Sequence, residues 1–252
     1  MTLMSPPQTL FEEILANPHA DEPRLLYAEW LDERCLPLGE FIRTQIHLAK
    51  LPAGDPRLLE LERREQELLA EFESAWVDGL AQRVDWWVFR RGFVNEVALT
   101  VEQFLTHAGY LFQHFPIQEV HVRTTTSADV AELASSRELA RARYLDLSSN
   151  RLGDGGTRTL AASPNVRGVR GLNLSCTGLG DPGAEALAQS PHLGGLMELY
   201  LSNNRIGDVG GRALAASPRL GQLERLFLDC NAIERTGAEL LNRRFGGRVH
   251  LR

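Results

Sequence analysis

From residue 142 onward the apolar positions recur with a fixed period. Leu145, Leu172, Leu199 and Leu226 stand 27 residues apart. Each opens the same pattern: Leu-x-Leu, about three residues, an aliphatic, a Gly-rich turn and a helix-like stretch. The four phrases are YLDLSSNRLGDGGTRTLAASP, GLNLSCTGLGDPGAEALAQSP, LYLSNNRIGDVGGRALAASP and LFLDCNAIERTGAELLNRR. Leu172 and Leu174 alternate at period two, so both point to one face of a short strand, while Asn173 and Ser175 point to the other. Val169 and Leu179 turn inward on either side. Gly180-Asp181-Pro182-Gly183 breaks the strand and opens a helix, with Asp181 expected as N-cap and Pro182 at N1. Asp154 and Asp208 hold the same position. Ala184, Leu187 and Ala188 form the apolar helical face, and Ser190-Pro191 ends it, as Pro164 and Pro218 do in their units.

No unit of this size buries its own apolar edge, but stacked neighbours bury it continuously. The pattern therefore predicts an α/β fold: a right-handed solenoid of parallel strands inside and helices outside. Asn150, Asn204 and Asn231 sit three residues after the second leucine, with Thr177 in the remaining unit. An amide there can bond backbone groups left unpaired by the bend, so these four positions are expected to be structural. Less regular phrases precede the exact units: NEVAL with Val97 and Leu99, and EVHV with Val120 and Val122. Val101 to Phe115 and Asp129 to Leu139 are their predicted outer helices. Val249-His250-Leu251 is expected as a last short strand with an open edge.

The first 92 residues do not repeat and read as helices. Thr9-Leu10-Phe11-Glu12 forms a capping-box pattern for a helix ended by Asn17-Pro18. A second helix is predicted over Asp21 to Arg34, with Leu25, Leu26 and Trp30 near one face. A third runs from Glu40 to Leu51, with Phe41, Gln45 and Leu48 at helical spacing. Asp55 is the expected N-cap, and Pro56 the N1 residue, of a long helix reaching about Leu80. Its stripe is Leu58, Leu61, Leu68, Phe72, Trp76 and Leu80, with Glu60 and Arg64 as an i,i+4 pair. Trp30, Trp76, Trp86 and Trp87 all fall in this half, and the run Trp86-Trp87-Val88-Phe89 is expected to cap the repeat core. The predicted division is a helical module over 1–52, a long helix and Trp-rich junction over 53–92, and the repeat domain over 93–252.

The repeating phrase resembles the leucine-rich repeat, in the ribonuclease-inhibitor-like subtype with longer units and a full outer helix. The stretch LFEEILANPHADEPRLLYAEWLDERCLPLGEFIRTQIHLAKL resembles a short repeat-companion domain found beside repeat arrays in planctomycete-type proteins. Asp21, Pro23, Arg24, Tyr27, Ala28, Trp30, Leu31, Glu33-Arg34 and Gly39-Glu40-Phe41-Ile42-Arg43 carry that likeness, and Arg90 to Phe93 (RRGF) resembles the link joining such a module to its repeats. The resemblance implies architecture and supplies no established activity.

Charge narrows the partners. Residues 1–92 hold 10 basic and 17 acidic side chains, and residues 93–252 hold 17 and 16, so no half has the basic stripe that phosphate neutralisation needs. The local clusters Arg137, Arg141, Arg143 and Arg243, Arg244, Arg248, Arg252 read as solvated surface. No apolar run spans a bilayer, and Met1 to Ala16 lacks the signature of a secretory signal. Cys35, Cys176 and Cys230 show neither disulfide nor zinc spacing, and are expected as buried or half-buried thiols of a cytoplasmic protein. Hydrolase, nucleotide-loop and metalloprotease signatures are absent. His107 and His114 lack further ligands, so no metal or cofactor is expected. Glu29, Asp32 and Glu33 beside Arg24, Arg34 and Arg43 read as surface ion pairs.

The chain is thus expected to be a non-catalytic scaffold binding a protein, not nucleic acid or membrane, through the concave strand face. The residues assigned to that face are His121, Arg123, Tyr144, Asp146, Asn173, Glu198, Tyr200, Arg225, Phe227 and Asp229. Alternatives are a regulator of an enzyme such as a small GTPase, or a structural, self-assembling protein. A monomer is expected, with the open C-terminal strand as the route to a dimer.

Overall fold

The computed structural model describes residues 8–123 and 127–251. The first seven residues of the Met1–Ala16 stretch, and Arg252 of the second basic cluster, lie outside them. The described residues divide into two compact units. The first runs to Val97 and adds Gly109–Ile117; the second comprises Ala98–Ala108 and continues from Gln118. No helix among the described residues is long and apolar enough to cross a membrane.

In the first unit the helices are α1 (Gln8–Ala16), α2 (Glu22–Asp32), α3 (Leu38–Lys50) and α4 (Leu58–Trp76), followed by strand β1 (Trp86–Arg90) and by β2 (Phe93–Thr100). Ile14, Ala28, Leu31, Ile42, Ile46 and Phe93 form a core, with Phe11, Leu25, Tyr27, Trp30 and Leu38 packed around it. Burying each large aliphatic side chain contributes about 2 kcal/mol. The Arg91-Gly92 corner, where the chain leaves β1 for β2, is locked onto α3. Gly92 has φ +88°, and a Cβ there would overlap Ile42. Its N–H donates to Gln45 Oε1 at 2.6 Å, and Gln45 Nε2 donates to Glu65 Oε1 at 2.7 Å. Residues of the RRGF and GEFIR motifs thus meet in one packed corner.

Several boundaries differ from those the spacing predicts. Thr9 lies inside α1, which already includes Gln8, so it is no cap. Leu26 is exposed, and the residues α2 buries are Arg24, Ala28 and Leu31. Asp55 closes a turn by accepting from the Arg57 N–H at 2.9 Å, and α4 begins only at Leu58. The long helix stops at Trp76, and Leu80 is buried from the turn beyond it. Arg64 does not pair with Glu60. It forks onto Glu40 of α3 at 2.7 and 2.8 Å and also reaches Glu67, because a bidentate carboxylate on the facing helix outcompetes an i,i+4 partner on an exposed face. The acid–base cluster of α2 and α3 resolves into the pairs Arg43–Asp32 and Arg34–Glu33. Arg24 leaves that cluster and is fully buried, its guanidinium 5.6 Å from the Phe93 ring centroid. Trp76 packs on Phe41, Phe72 and Phe89, and the Trp87 indole donates to Glu73 at 2.8 Å.

After helix α5 (Val101–His114), the second unit continues with β3 (Glu119–Arg123), α6 (Ser127–Ser135), β4 (Tyr144–Asp146), α7 (Gly153–Ala162), β5 (Gly171–Asn173), α8 (Asp181–Gln189), β6 (Glu198–Tyr200), α9 (Asp208–Ala216), β7 (Arg225–Phe227), α10 (Arg235–Phe245) and β8 (Val249–His250). The predicted Asp129–Leu139 helix is α6 followed by a 3-10 turn at Arg137–Arg141. Strands β3 to β8 pair in sequence order, all parallel, and the period becomes register: Leu145, Leu172, Leu199 and Leu226 oppose one another. All four are fully buried, as are the helical residues Leu160, Leu187, Leu214 and Leu241.

Three polar ladders tie neighbouring units. The Asn204 amide donates to the Leu174 carbonyl at 2.8 Å and to Leu201 at 3.0 Å, and its oxygen accepts from the N–H groups of Thr177, Gly178 and Leu179. Asn150 and Asn231 make the equivalent donations to two successive turns. Thr177 donates to Leu174 of its own turn at 2.8 Å and reaches Asn204 Oδ1 of the next repeat at 3.3 Å, while the Asn204 amide supplies the crossing bonds to backbone carbonyls there. Ser163, Ser190 and Ser217 donate from their hydroxyls to Ala134, Ala161 and Ala188, carbonyls at the end of the preceding helix.

The third ladder corrects the capping assignment. Asp154, Asp181 and Asp208 make no cap bond to their own helices. Each carboxylate instead accepts from the start of the next helix: Asp154 from Gly180 and Gly183, Asp181 from Gly207 and Gly210, and Asp208 from Glu234 and Gly237. The glycine makes this possible, because a Cβ at Gly210 would stand 2.6 Å from the Asp181 oxygen.

The cysteines also differ from expectation, for all three are exposed. Ser149, Cys176, Asn203 and Cys230 occupy one repeat position and share a positive φ of 53–59°. Cys35 has φ 53° as well. These turns are reached in the left-handed region, away from the buried faces, so the thiols are not part of the apolar core.

Candidate functional site

The face of the strands opposite the buried leucines carries two columns of side chains. One is Glu119, Tyr144, Gly171, Glu198 and Arg225; the other is His121, Asp146, Asn173, Tyr200, Phe227 and His250. Parallel register with period-two alternation puts them there, since residues i and i+2 of a strand share a face. Tyr144, Tyr200 and Phe227 are half-buried, and Arg225 and His250 are exposed.

Aromatic rings run along this face. His121 and Tyr144 lie 6.3 Å apart between centroids, and Tyr144 meets Tyr200 edge-on at 6.2 Å. Tyr200 and Phe227 stack at 4.7 Å and 4°, and Phe227 stacks on His250 at 4.4 Å and 7°. Tyr144 and Tyr200 are two strands apart, and contact is possible because Gly171 lies between them. A Cβ at Gly171 would overlap the Tyr144 ring, which fills the place of a side chain there.

Polar groups frame the rings. The Tyr200 hydroxyl donates to Glu198 Oε2 at 2.7 Å, and the other Glu198 oxygen pairs with Arg225. Asp146 accepts from the Ser148 N–H at 2.7 Å and from Asn173 at 2.9 Å, with His121 Nδ1 at 3.5 Å. Ser202 donates to Asp229 at 3.3 Å. Burial pushes the Tyr200 phenol up to about 12, with further help from Glu198. Burial also raises Tyr144 well above the usual phenol value, reinforced by Asp146, Tyr200, Glu119 and Glu198. Burial alone would raise the Asp146 carboxyl, but hydrogen bonds from His121, Ser148 and Asn173 outweigh it and hold it low.

Of the residues assigned from sequence, His121, Tyr144, Asp146, Asn173, Glu198, Tyr200, Arg225 and Phe227 thus join one connected surface. Asp229 lies at its side through Ser202. Arg123 diverges, lining a hollow with Glu102, Asp129 and Glu132 near the starts of α5 and α6. His250 was not assigned to this face, and the part Gly171 plays in it was not foreseen. The Val-His-Leu alternation already placed His250 on the same face as Phe227, whereas the role of Gly171 depends on the rotamer of Tyr144, which no spacing encodes.

A family model described as Leucine Rich repeat matches residues 143–161, 169–188 and 196–215. No curated protein matches the chain. The three matched segments each run from strand to helix, coinciding with β4–α7, β5–α8 and β6–α9. Residues 143–215 thus hold three leucine-rich repeats, a type of unit that commonly mediates protein–protein interaction and is generally non-catalytic.

Proposed function

We propose that the chain is a non-catalytic protein-binding scaffold whose partner docks on the exposed strand face. The carrying observation is the run of rings from Tyr144 through Tyr200 and Phe227 to His250, framed by Glu198, Arg225, Asp146 and Asn173. Aromatic anchors within a polar rim are the usual composition of binding hot spots. The reading extends to the finer assignments. Repeats with a full outer helix fit the ribonuclease-inhibitor-like subtype, and the meeting of RRGF with GEFIR on α3 supports the companion-domain likeness of the helical module. Three free thiols suit a reducing cytoplasm.

The test is capture of partners from lysate of the native cells by the full chain, in wild-type form and as the Tyr200→Ala/Phe227→Ala variant. Loss of the stack should weaken a captured partner about thirtyfold or more while the circular dichroism spectrum is unchanged. Equal affinity of the folded double variant would refute the strand face as the binding surface.

A further inference from the structure

Strands β3 to β8 all run one way, so every return from helix to strand lies on one edge of the stack and every passage from strand to helix on the other. Charge separates between these edges. The returns at 136–143, 163–170, 190–197 and 217–224 hold six arginines, one histidine and two glutamates. The passages at 147–154, 174–181, 201–208 and 228–235 hold three arginines and five acids. The near-balance of 17 basic and 16 acidic side chains over 93–252 therefore hides a basic edge. Helix C-terminal ends add roughly half a negative charge each, which reduces that excess without removing it.

The excess centres on Arg143, Arg167 and Arg170, all exposed. Arg143 and Arg170 hold one repeat position and make one kind of contact. Arg143 Nη1 donates to the Gly168 carbonyl at 3.2 Å, and Arg170 Nη1 to that of Gly195 at 2.8 Å, each 25 residues ahead. Arg170 lies in the space of the side chain that Gly195 lacks, for a Cβ there would overlap its guanidinium. Both groups are thus held against the edge through Nη1. Their Nε–Nη2 side, a fork that takes a carboxylate by two parallel bonds, stays open. Arg167 reaches His192 of the next return, with Nη2 and Nδ1 3.3 Å apart. Among the described residues none of these three arginines, nor Arg219, meets a carboxylate. Glu138 is taken by Arg141, Glu198 by Tyr200 and Arg225, and Glu224 stands two repeats beyond Arg170.

We propose that this edge binds an acidic polypeptide segment of a partner, whose carboxylates take the open forks of Arg143 and Arg170 beside the charge of Arg167. The inference goes beyond the strand-face reading and does not rest on it. Charge complementarity selects an anionic occupant, and the backbone groups select a polypeptide. The guanidiniums share the edge with the Gly168 and Gly195 carbonyls and with the carbonyls that end each helix. A polypeptide brings carboxylates to the first and N–H donors to the second, whereas a phosphate chain brings only acceptors. The returns hold no Phe, Tyr or Trp on which bases could stack. Gly194 and Gly221 are exposed, so an extended chain can approach these turns closely.

The probe is Ac-Glu-Asp-Glu-Asp-Glu-Asp-NH2, compared with its Gln/Asn counterpart and with an oligothymidylate of equal charge. Each is titrated to millimolar concentration into the full isotope-labelled chain and followed by NMR. The acidic peptide should shift the Arg143, Gly168, Arg170 and Gly195 amides saturably, and the Gln/Asn peptide should not. Arg143→Gln/Arg167→Gln/Arg170→Gln should weaken the acidic peptide about tenfold. Arg167→Glu alone, whose native guanidinium holds no carbonyl, should weaken it as well. Arg151→Gln/Arg205→Gln/Arg235→Gln, which removes the same charge from the opposite edge, should leave binding unchanged. No saturable shift, equal binding of the two peptides, or equal loss in the two triple variants would overturn the proposal. Tighter binding of the oligothymidylate at the same amides would overturn it too and assign the edge to phosphates. If the first triple variant loses its fold, Arg167→Glu decides. None of these readouts involves Tyr200 or Phe227, so failure here and failure of the strand face are distinguishable.

Discussion

The carboxylate of Asp181 holds the backbone N–H of Gly210, 29 residues ahead, at 2.8 Å, and that of Gly207 at 2.7 Å. One side chain thereby satisfies two donors at the start of a helix it does not belong to. A helix leaves its first N–H groups without intrahelical partners, and here the preceding repeat supplies the acceptor. The same oxygen geometry recurs at Asp154 and Asp208, so the interaction is a coupling between units, the term that sets cooperativity in stacked repeats.

Asp181→Ala should therefore destabilise the chain by about 2 kcal/mol, combining a lost cap with donors left unpaired. Asp181→Asn, which retains an acceptor oxygen, should cost less. Denaturant midpoints of the two variants measure this. If Ala and Asn cost the same few tenths of a kcal/mol, the inter-repeat bonds contribute nothing to stability.

Two glycines in the helices should respond to alanine in opposite directions. A Cβ added at Gly155 of α7 would meet nothing within 4 Å, and this glycine has no positive φ, so alanine gains helix propensity and stabilises by about 0.5–1 kcal/mol. At Gly210 of α9 the same Cβ would stand 2.6 Å from Asp181 Oδ1, 2.8 Å from Ile206 and 3.0 Å from Ala184. The clash displaces the carboxylate and should outweigh the propensity gain, for a net loss of about 1–3 kcal/mol. Thermal unfolding of the pair tests the sign, and a stabilised Gly210→Ala would show that the close approach of Asp181 does not constrain this position.

The repeat architecture was legible because its information is periodic. The leucine register, the strand–turn–helix order and the Asn positions follow from spacing alone. What spacing does not carry is where a polar side chain finds its partner. Asp181 followed by Pro182 reads as a cap, yet its Oδ1 accepts from the start of the next helix and not from its own backbone donors. Arg64 reads as the partner of Glu60, yet Glu40 arrives from another helix. The candidate face shows the same division: alternation places Tyr144 and Tyr200 on it, but their contact requires the missing side chain at Gly171.

The thiols offer a direct check of the turn conformation. Cys35, Cys176 and Cys230 are exposed and unpaired, each at a positive φ. All three should react with a chromogenic disulfide reagent in the native chain, without the delay that requires unfolding. A thiol that reacts only in denaturant would place that turn in the core, where burial statistics put most free cysteines.

Tyrosine ionisation reports on the strand face. Tyr200 is pushed up to about 12, first by burial and then by its hydrogen bond to Glu198. The folded value lies above the ordinary value of 10.0, so between these two the native chain keeps a proton that the unfolded chain has released. Stability is then full below about pH 10 and falls as pH rises through about 12. Tyr144 and Tyr27 are shifted in the same direction by burial and add to the fall. The difference in phenolate absorbance between wild type and Tyr200→Phe isolates the Tyr200 step. That step should lie near the upper value and move down in Glu198→Gln, where the charged acceptor is gone but the burial remains. A step near the ordinary value in wild type would mean that the Tyr200 ring is solvated, and that the stack on Phe227 does not shield its hydroxyl.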